Sequence, residues 1–275
     1  MTSRKLWAIL LGSAPTLAAG AEGDAPEPSS PRLGFHLGLE AFTWSEQASN
    51  PSREILEEEG PRFTGAVTFD NYLRSAEGPV YALEARGYAG EMDYDGETQG
   101  GVPLRTEVSY KGALGEGQVG YRFLPDWARY SFDAMAGLGG EYWSRDIQDG
   151  FAANGTPVQG VEEQYTVVYA KAGLGVADLT FEEWYGRLEA GVRYPLDVHE
   201  EIDAFNAELS PNPEPNFYAA YELSKVTSTG TQVGVTLYYD SYRFDPSPVS
   251  SSSIGAILQP ESDMDVIGLR LGVFL

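Results

Sequence analysis

The closing residues of the chain, Asp265-Val266-Ile267-Gly268-Leu269-Arg270-Leu271-Gly272-Val273-Phe274-Leu275, alternate between two faces. Ile267, Leu269, Leu271, Val273 and Leu275 share one, and Gly268, Arg270 and Gly272 share the other. A period of two is that of an extended strand, whose successive side chains point to opposite sides. The pattern recurs at Leu33, Phe35, Leu37, Leu39 and Ala41, set against Gly34, His36, Gly38, Glu40 and Phe42. It recurs again at 184–196, where Trp184, Gly186, Leu188, Ala190, Val192, Tyr194 and Leu196 alternate with Tyr185, Arg187, Glu189, Gly191, Arg193 and Pro195. Helical spacing is hard to find beyond Leu33, so the chain reads as all-β.

Clusters of Gly, Pro, Asn and Asp divide the chain into strands at about 32–44, 62–74, 80–95, 104–123, 129–146, 163–177, 183–196, 216–227, 231–244 and 264–275. Short connections (Ser75–Pro79, Leu124–Ala128, Asp178–Glu182, Ser228–Gly230) alternate with mostly longer ones at 45–61, 96–103, 147–162, 197–215 and 245–263. That rhythm is the one transmembrane barrels show, with short turns at one end and longer loops at the other. The segment 104–123 contains Gly112, Gly115 and Gly117, and its apolar parity changes between Tyr110 and Val119. A β-bulge there keeps the count at ten. Twelve strands would need a further segment to divide.

Composition narrows the partners. Eighteen Lys and Arg against 41 Asp and Glu give a formal charge of −23, which opposes binding to a phosphate backbone and excludes nucleic acid. With no Cys there are no disulfides, thiolate metal sites or thiol nucleophile. Mean hydropathy is −0.28, and no apolar run after the N-terminus approaches the roughly 20 residues of a membrane helix.

The N-terminus has its own logic. Arg4 and Lys5, the apolar stretch Leu6-Trp7-Ala8-Ile9-Leu10-Leu11 and the Ala19-Gly20-Ala21 site form a secretory signal over 1–21, cleaved before Glu22. Residues 22–31 read as a flexible leader, and 32–275 as a single barrel domain.

A soluble barrel would turn its apolar face inward, so polarity alone does not separate the two cases. Three features favour the membrane. The strands exceed the five to six residues common in soluble proteins and reach the roughly nine to eleven of a tilted spanning strand. Trp44, Tyr81, Tyr142, Trp184, Tyr194, Phe217 and Tyr239 lie near strand ends, as interfacial aromatics do. The sheet also reaches the last residue, and a spanning sheet must close to satisfy its backbone. Over about 32–275 the sequence resembles bacterial outer-membrane β-barrel proteins as a class. The resemblance implies an outer membrane of a Gram-negative bacterium, contact with its lipid and lipopolysaccharide, and recognition of the last strand by the barrel-assembly machinery. The departure is Phe274, one position before the end and on the opposite parity.

The face opposite the lipid carries charges of both signs: Glu84, Arg86, Glu107, Lys111, Glu141, Arg145, Arg187, Glu189, Arg193, Glu222, Asp240 and Arg270. These read as a lumen network, and Trp143, Tyr169, Tyr185, Arg187 and Arg193 are bulky enough to fill a ten-stranded interior. Glu54, Glu57, Glu58, Glu59, Asp149, Glu162, Glu163, Glu200, Glu201, Asp203 and Glu208 read as an acidic cap on the outward loops, which concentrates cations.

His36 and His199 are the only histidines. Asp93-Tyr94-Asp95 and Asp197-Val198-His199 lie where strands rise into outer loops, and the pair resembles the omptin proteases, also ten-stranded barrels. The resemblance implies that Asp197 orients His199 as general base while Asp93 and Asp95 hold the attacking water. Asp197 and His199 continue the lumen face of Arg193, whereas the Asp pair needs a bulge near Gly87 or Gly90 to turn inward. Asp93-Tyr94-Asp95-Gly96-Glu97 lacks the remaining ligands of a calcium loop, so neither a metal nor a cofactor is expected. Two functions stay open: a non-enzymatic surface or structural barrel, in one form a narrow cation-preferring, porin-like channel, or an omptin-like surface endoprotease. Oligomeric state is not legible.

Overall fold

The computed structural model describes residues 31–49, 52–73, 76–98, 100–125, 129–178, 184–228 and 231–275. The signal at 1–21 and the leader, apart from Pro31, lie outside them. Ten long strands form the wall: β1 Arg32–Ser49, β2 Ser52–Asp70, β3 Gly78–Glu97, β4 Pro103–Phe123, β5 Tyr130–Ile147, β6 Val161–Asp178, β7 Trp184–Ile202, β8 Asn216–Val226, β9 Gln232–Asp245 and β10 Glu261–Phe274.

Each pairs antiparallel with its neighbour in sequence, and β10 pairs with β1 in a register that sets Gly34 opposite Phe274. Leu33 and Leu275 exchange backbone hydrogen bonds at 3.0 and 2.9 Å. The ring therefore has no free edge, as a lipid-facing sheet requires. Short strands at Gly150–Ala152, Pro157–Val158, Ala207–Leu209, Asn212–Pro213, Ser250–Ser252 and Gly255–Ile257 decorate the long-connection end.

Alternation sorts the wall into two faces. Leu33, Phe35, Leu37 and Leu39 on β1, Phe63, Val67 and Phe69 on β2, and Ile267, Leu269, Leu271 and Val273 on β10 are exposed on the outside. They form the band that meets lipid. Inside, Arg32, His36, Glu40 and Arg270 are buried. Inward glycines make room for rings: a Cβ on Gly112, Gly139 or Gly268 would strike Tyr88, Tyr169 or Tyr238.

The strands outrun the lipid band, and this corrects several sequence-level expectations. β2 starts at Ser52 and β7 runs to Ile202, so much of what reads as loop at 45–61 and 197–215 is strand. Beyond the band the interior is apolar. β4 pairs with β3 and β5 without any shift of register, and Leu104, Val108, Tyr110, Leu114, Gln118 and Arg122 all face inward. The expected bulge in 104–123 is absent. Its apolar parity changes because Val119, Tyr121 and Phe123 face lipid, whereas Leu104 and Val108 face a core above it.

Candidate functional site

Within the lipid band the lumen is a charge ladder in which every carboxylate meets a cation. Arg270 and Arg86 both reach Glu84 at 2.8 Å, Arg86 and Arg193 share Asp240 at 2.9 and 2.6 Å, and Lys171 holds Glu116 at 2.5 Å. Arg187 pairs with Glu189 at 2.5 Å, and Arg122 with Asp133 at 2.7 Å. Arg32 bridges Asp70 at 2.7 Å and Glu222 at 2.6 Å, and its guanidinium lies 4.2 Å from the ring centre of Phe274. The off-parity Phe274 thus serves the inside of the barrel. A cavity of about 120 Å³ remains among these side chains, room for a few waters. His36 lines it, its Nε2 3.0 Å from the Thr68 hydroxyl.

Above the ladder Glu141 accepts hydrogen bonds from Tyr88, at 2.7 Å, and Tyr242. Next comes a plug. Phe42, Trp44, Met92, Val108, Tyr110, Trp143, Tyr165, Val167, Val198 and Met264 are buried in one cluster. Trp143 stacks on Tyr165 with ring centres 4.9 Å apart and planes 5° from parallel.

Arg145 stands in this apolar setting. It donates to Glu58 at 2.5 Å, to Glu163 at 2.5 Å and to Glu46 at 3.2 Å. The Tyr110 hydroxyl also donates to Glu58, and the Trp44 indole to Glu46 at 3.0 Å. Gln259, carried by the segment 246–260, reaches the same Glu46 oxygen at 3.2 Å. Outward neighbours at this level, such as Glu57, Glu59, Glu162 and Glu201, are acidic, so the cluster lies beyond the bilayer. Burial pushes the Glu58 and Glu46 carboxyls above the usual range despite the opposing pull of Arg145. It lifts Tyr94, which faces them from β3, to about 12.

Of the residues read from sequence as a lumen network, the structure brings Glu84, Arg86, Glu141, Arg145, Arg187, Glu189, Arg193, Glu222, Asp240 and Arg270 into the interior. Glu107 and Lys111 are exposed on the outer wall, because β4 keeps one parity throughout. Glu58, Glu163 and Glu200, expected in outward loops, turn inside instead, Glu58 and Glu200 wholly buried and Glu163 bound to Arg145. They, with Glu46 and Gln259 in the plug and Arg32, Asp70, Glu116, Arg122, Asp133 and Lys171 in the ladder, are among the interior residues that sequence reading missed. The signal for Glu58 was its even spacing from Arg62, Thr64 and Ala66, which face inward on β2.

The four omptin-like positions also lie on the outer wall. β3 keeps Met92 inside and Asp93 and Asp95 exposed, without a bulge at Gly87 or Gly90. Asp95 pairs there with Arg105 at 2.7 Å. On β7 a bulge skips Leu196: Tyr169 pairs with Pro195 and Val168 with Asp197. That extra residue inverts the parity, so Val198 and Glu200 point in, Asp197 is exposed and His199 is half-exposed. The expectation that Asp197 and His199 continue the lumen face is thereby corrected. With β3 and β7 four strands apart around the ring, the two pairs face away from each other. Among the described residues no three acidic or histidine side chains are placed to hold a metal.

A closed ten-stranded ring with an apolar outer band and a charged interior is the fold of the outer-membrane β-barrel proteins. Among solved structures the chain is similar to the outer membrane protease OmpT from Escherichia coli, at a TM-score of 0.57 and 10% identity over 90% of this chain and 96% of that one. The transport unit of the autotransporter AIDA-I from Escherichia coli matches at 0.41 and 7% identity, over 90% of this chain and 92% of that one. An outer membrane channel from Pseudomonas putida F1 matches at 0.40 and 11%, over 92% and 100%. No family model and no curated protein sequence matches the chain.

Proposed function

We propose that the protein is a closed, non-enzymatic surface barrel of the Gram-negative outer membrane, exported by its signal and assembled through its last strand. The observation that carries this reading is the plug: stacked Trp143 and Tyr165, beside Arg145 bound to Glu58, fill the lumen where a solute would have to pass. Below it the fixed charges pair off, so the membrane section holds no surplus of carboxylate to select cations. The acidity instead lies on the outer wall, where Glu59, Asp93 and Glu107 are direct cross-strand neighbours on β2, β3 and β4. Like charges in that position repel, and a collar of them beside lipopolysaccharide suits divalent cations shared with lipid phosphate.

Planar-bilayer recording of the purified protein tests the reading. At neutral pH it should show no stable conductance steps. Reproducible cation-selective steps would replace it with the channel.

A further inference from the structure

The plug holds more acid than it has cations to neutralise. Glu46 from β1, Glu58 from β2, Glu163 from β6 and Glu200 from β7 gather around the single guanidinium of Arg145 from β5. The first three each take a hydrogen bond from Arg145. Glu200 differs: it is 0% exposed, no cation bonds it, and neither of its carboxyl oxygens has a hydrogen bond of full geometry, the hydroxyl of its cross-strand partner Tyr165 being the one donor that comes close to it. The Tyr165 hydroxyl, on the neighbouring strand, is directed at Glu163, 3.3 Å away. Tyr94 faces the same cluster from β3, Tyr110 from β4 and Gln259 from the segment 246–260.

A charged carboxylate in such a place is costly, because it is stripped of water and offered no cation of its own and no more than the shared hydroxyl of Tyr165. The acids are not spaced as a metal shell. A proton needs no such shell and neutralises the charge where it sits. We propose that Glu200 is a proton-binding site, and that its proton locks the outer half of the barrel shut by keeping Arg145 in balance with Glu46, Glu58 and Glu163. The lock rests on the closed-barrel reading above.

Release is a simple acid dissociation. The carboxyl O–H bond breaks, hydroxide takes the proton to become water, and a carboxylate is left behind. Its new charge bears most on Glu163 and Glu46. Of the contacts to Arg145, that of Glu46 is the longest, at 3.2 Å. Glu46 also anchors Gln259, whose backbone and carbonyl pair with Ser247 at 2.9 and 3.0 Å to close the base of the 246–260 segment. Displacing Glu46 therefore loosens the 246–260 segment and, through the Trp44 indole that donates to the same oxygen and packs on Tyr165, the plug itself. Burial, with Glu163 and Glu46 adding to it, holds the Glu200 carboxyl well above its ordinary range against the pull of Arg145.

Infrared titration and bilayer recording of the whole protein test this together. Wild type should show a protonated-carboxyl stretch at neutral pH that disappears on alkalinisation, as channel openings begin. Glu200→Gln, with its folded state checked by heat-modifiable gel mobility, should lose that spectral change and stay closed. Gln259→Ala should keep the band yet begin to open at a lower pH than wild type; an unchanged opening pH overturns the link from Glu46 to the 246–260 segment. A wild type without the band at neutral pH, or a Glu200→Gln that titrates and opens like wild type, overturns the proton site. Steady wild-type conductance at neutral pH with the band intact removes the closed barrel and the lock, and leaves the proton assigned.

Discussion

Arg145 on β5 and Glu58 on β2 meet 2.5 Å apart across the inside of the barrel, between strands that do not touch in the wall. Both side chains are almost wholly shielded from solvent. The contact ties together two parts of the ring three strands apart, beyond the lipid, where lateral pressure from lipid cannot.

Removing the cation should therefore be severe. Arg145→Met leaves Glu46, Glu58 and Glu163 buried without their shared partner, a loss of about 3–5 kcal/mol by analogy with other broken buried pairs. Thermal unfolding of the detergent-solubilised protein, followed by gel mobility, should show a clearly lower midpoint. An unchanged midpoint would mean that the acids are already neutral without it.

Stability should depend on pH in a definite sense. Glu46, Glu58 and Glu200 all have folded carboxyls above the ordinary value of 4.5, so the folded state binds protons that the unfolded chain releases. Their contribution is full below about 4.5 and is lost as pH rises through their folded values. Urea midpoints should accordingly be highest at mildly acidic pH and fall toward alkaline pH, with a shallower fall in Glu200→Gln. A midpoint that rises with pH over this range would contradict the assignment.

Deleting Leu196 should leave the far end of β7 as it is. Without the extra residue Pro195 and Asp197 become neighbours on opposite faces and keep their partners Tyr169 and Val168, so Val198 and Glu200 stay inside and Asp197 and His199 stay outside. The deletion and Leu196→Ala should therefore both assemble and keep heat-modifiable mobility; loss of mobility in the deletion alone would mean that the bulge itself is needed to shape the wall.

Substitution of the omptin-like positions should do little. Asp93, Asp95 and Asp197 are exposed and His199 half-exposed, and surface changes of this kind stay within about 0.5 kcal/mol. Wild type and His199→Ala should leave a library of basic peptides equally uncut. Cleavage that depends on His199 would restore the protease.

The sequence by itself determined the strands and the lipid face. Period-two alternation at Leu33–Ala41 and Ile267–Leu275 sets one apolar side of each strand apart, and strand length with the strand-end aromatics directs that side to lipid rather than to a soluble core. Alternating short and long connections carried the count of ten. Within the lipid band parity also named the lumen residues, such as Glu84, Arg187 and Asp240, because there polar and apolar faces differ in composition.

Only the tertiary structure decided what lies beyond the band. There both faces leave lipid: the outside meets water and turns acidic, while the inside becomes an apolar core, so the same alternation reads with its meaning reversed. Leu104 and Val108 look like lipid contacts and are core; Glu58 and Glu200 look like loop acids and are buried beside Trp44 and Tyr165. A single unpaired residue, Leu196, moves Asp197 and His199 from one face to the other, and a bulge is a property of how two strands pair rather than of either strand alone.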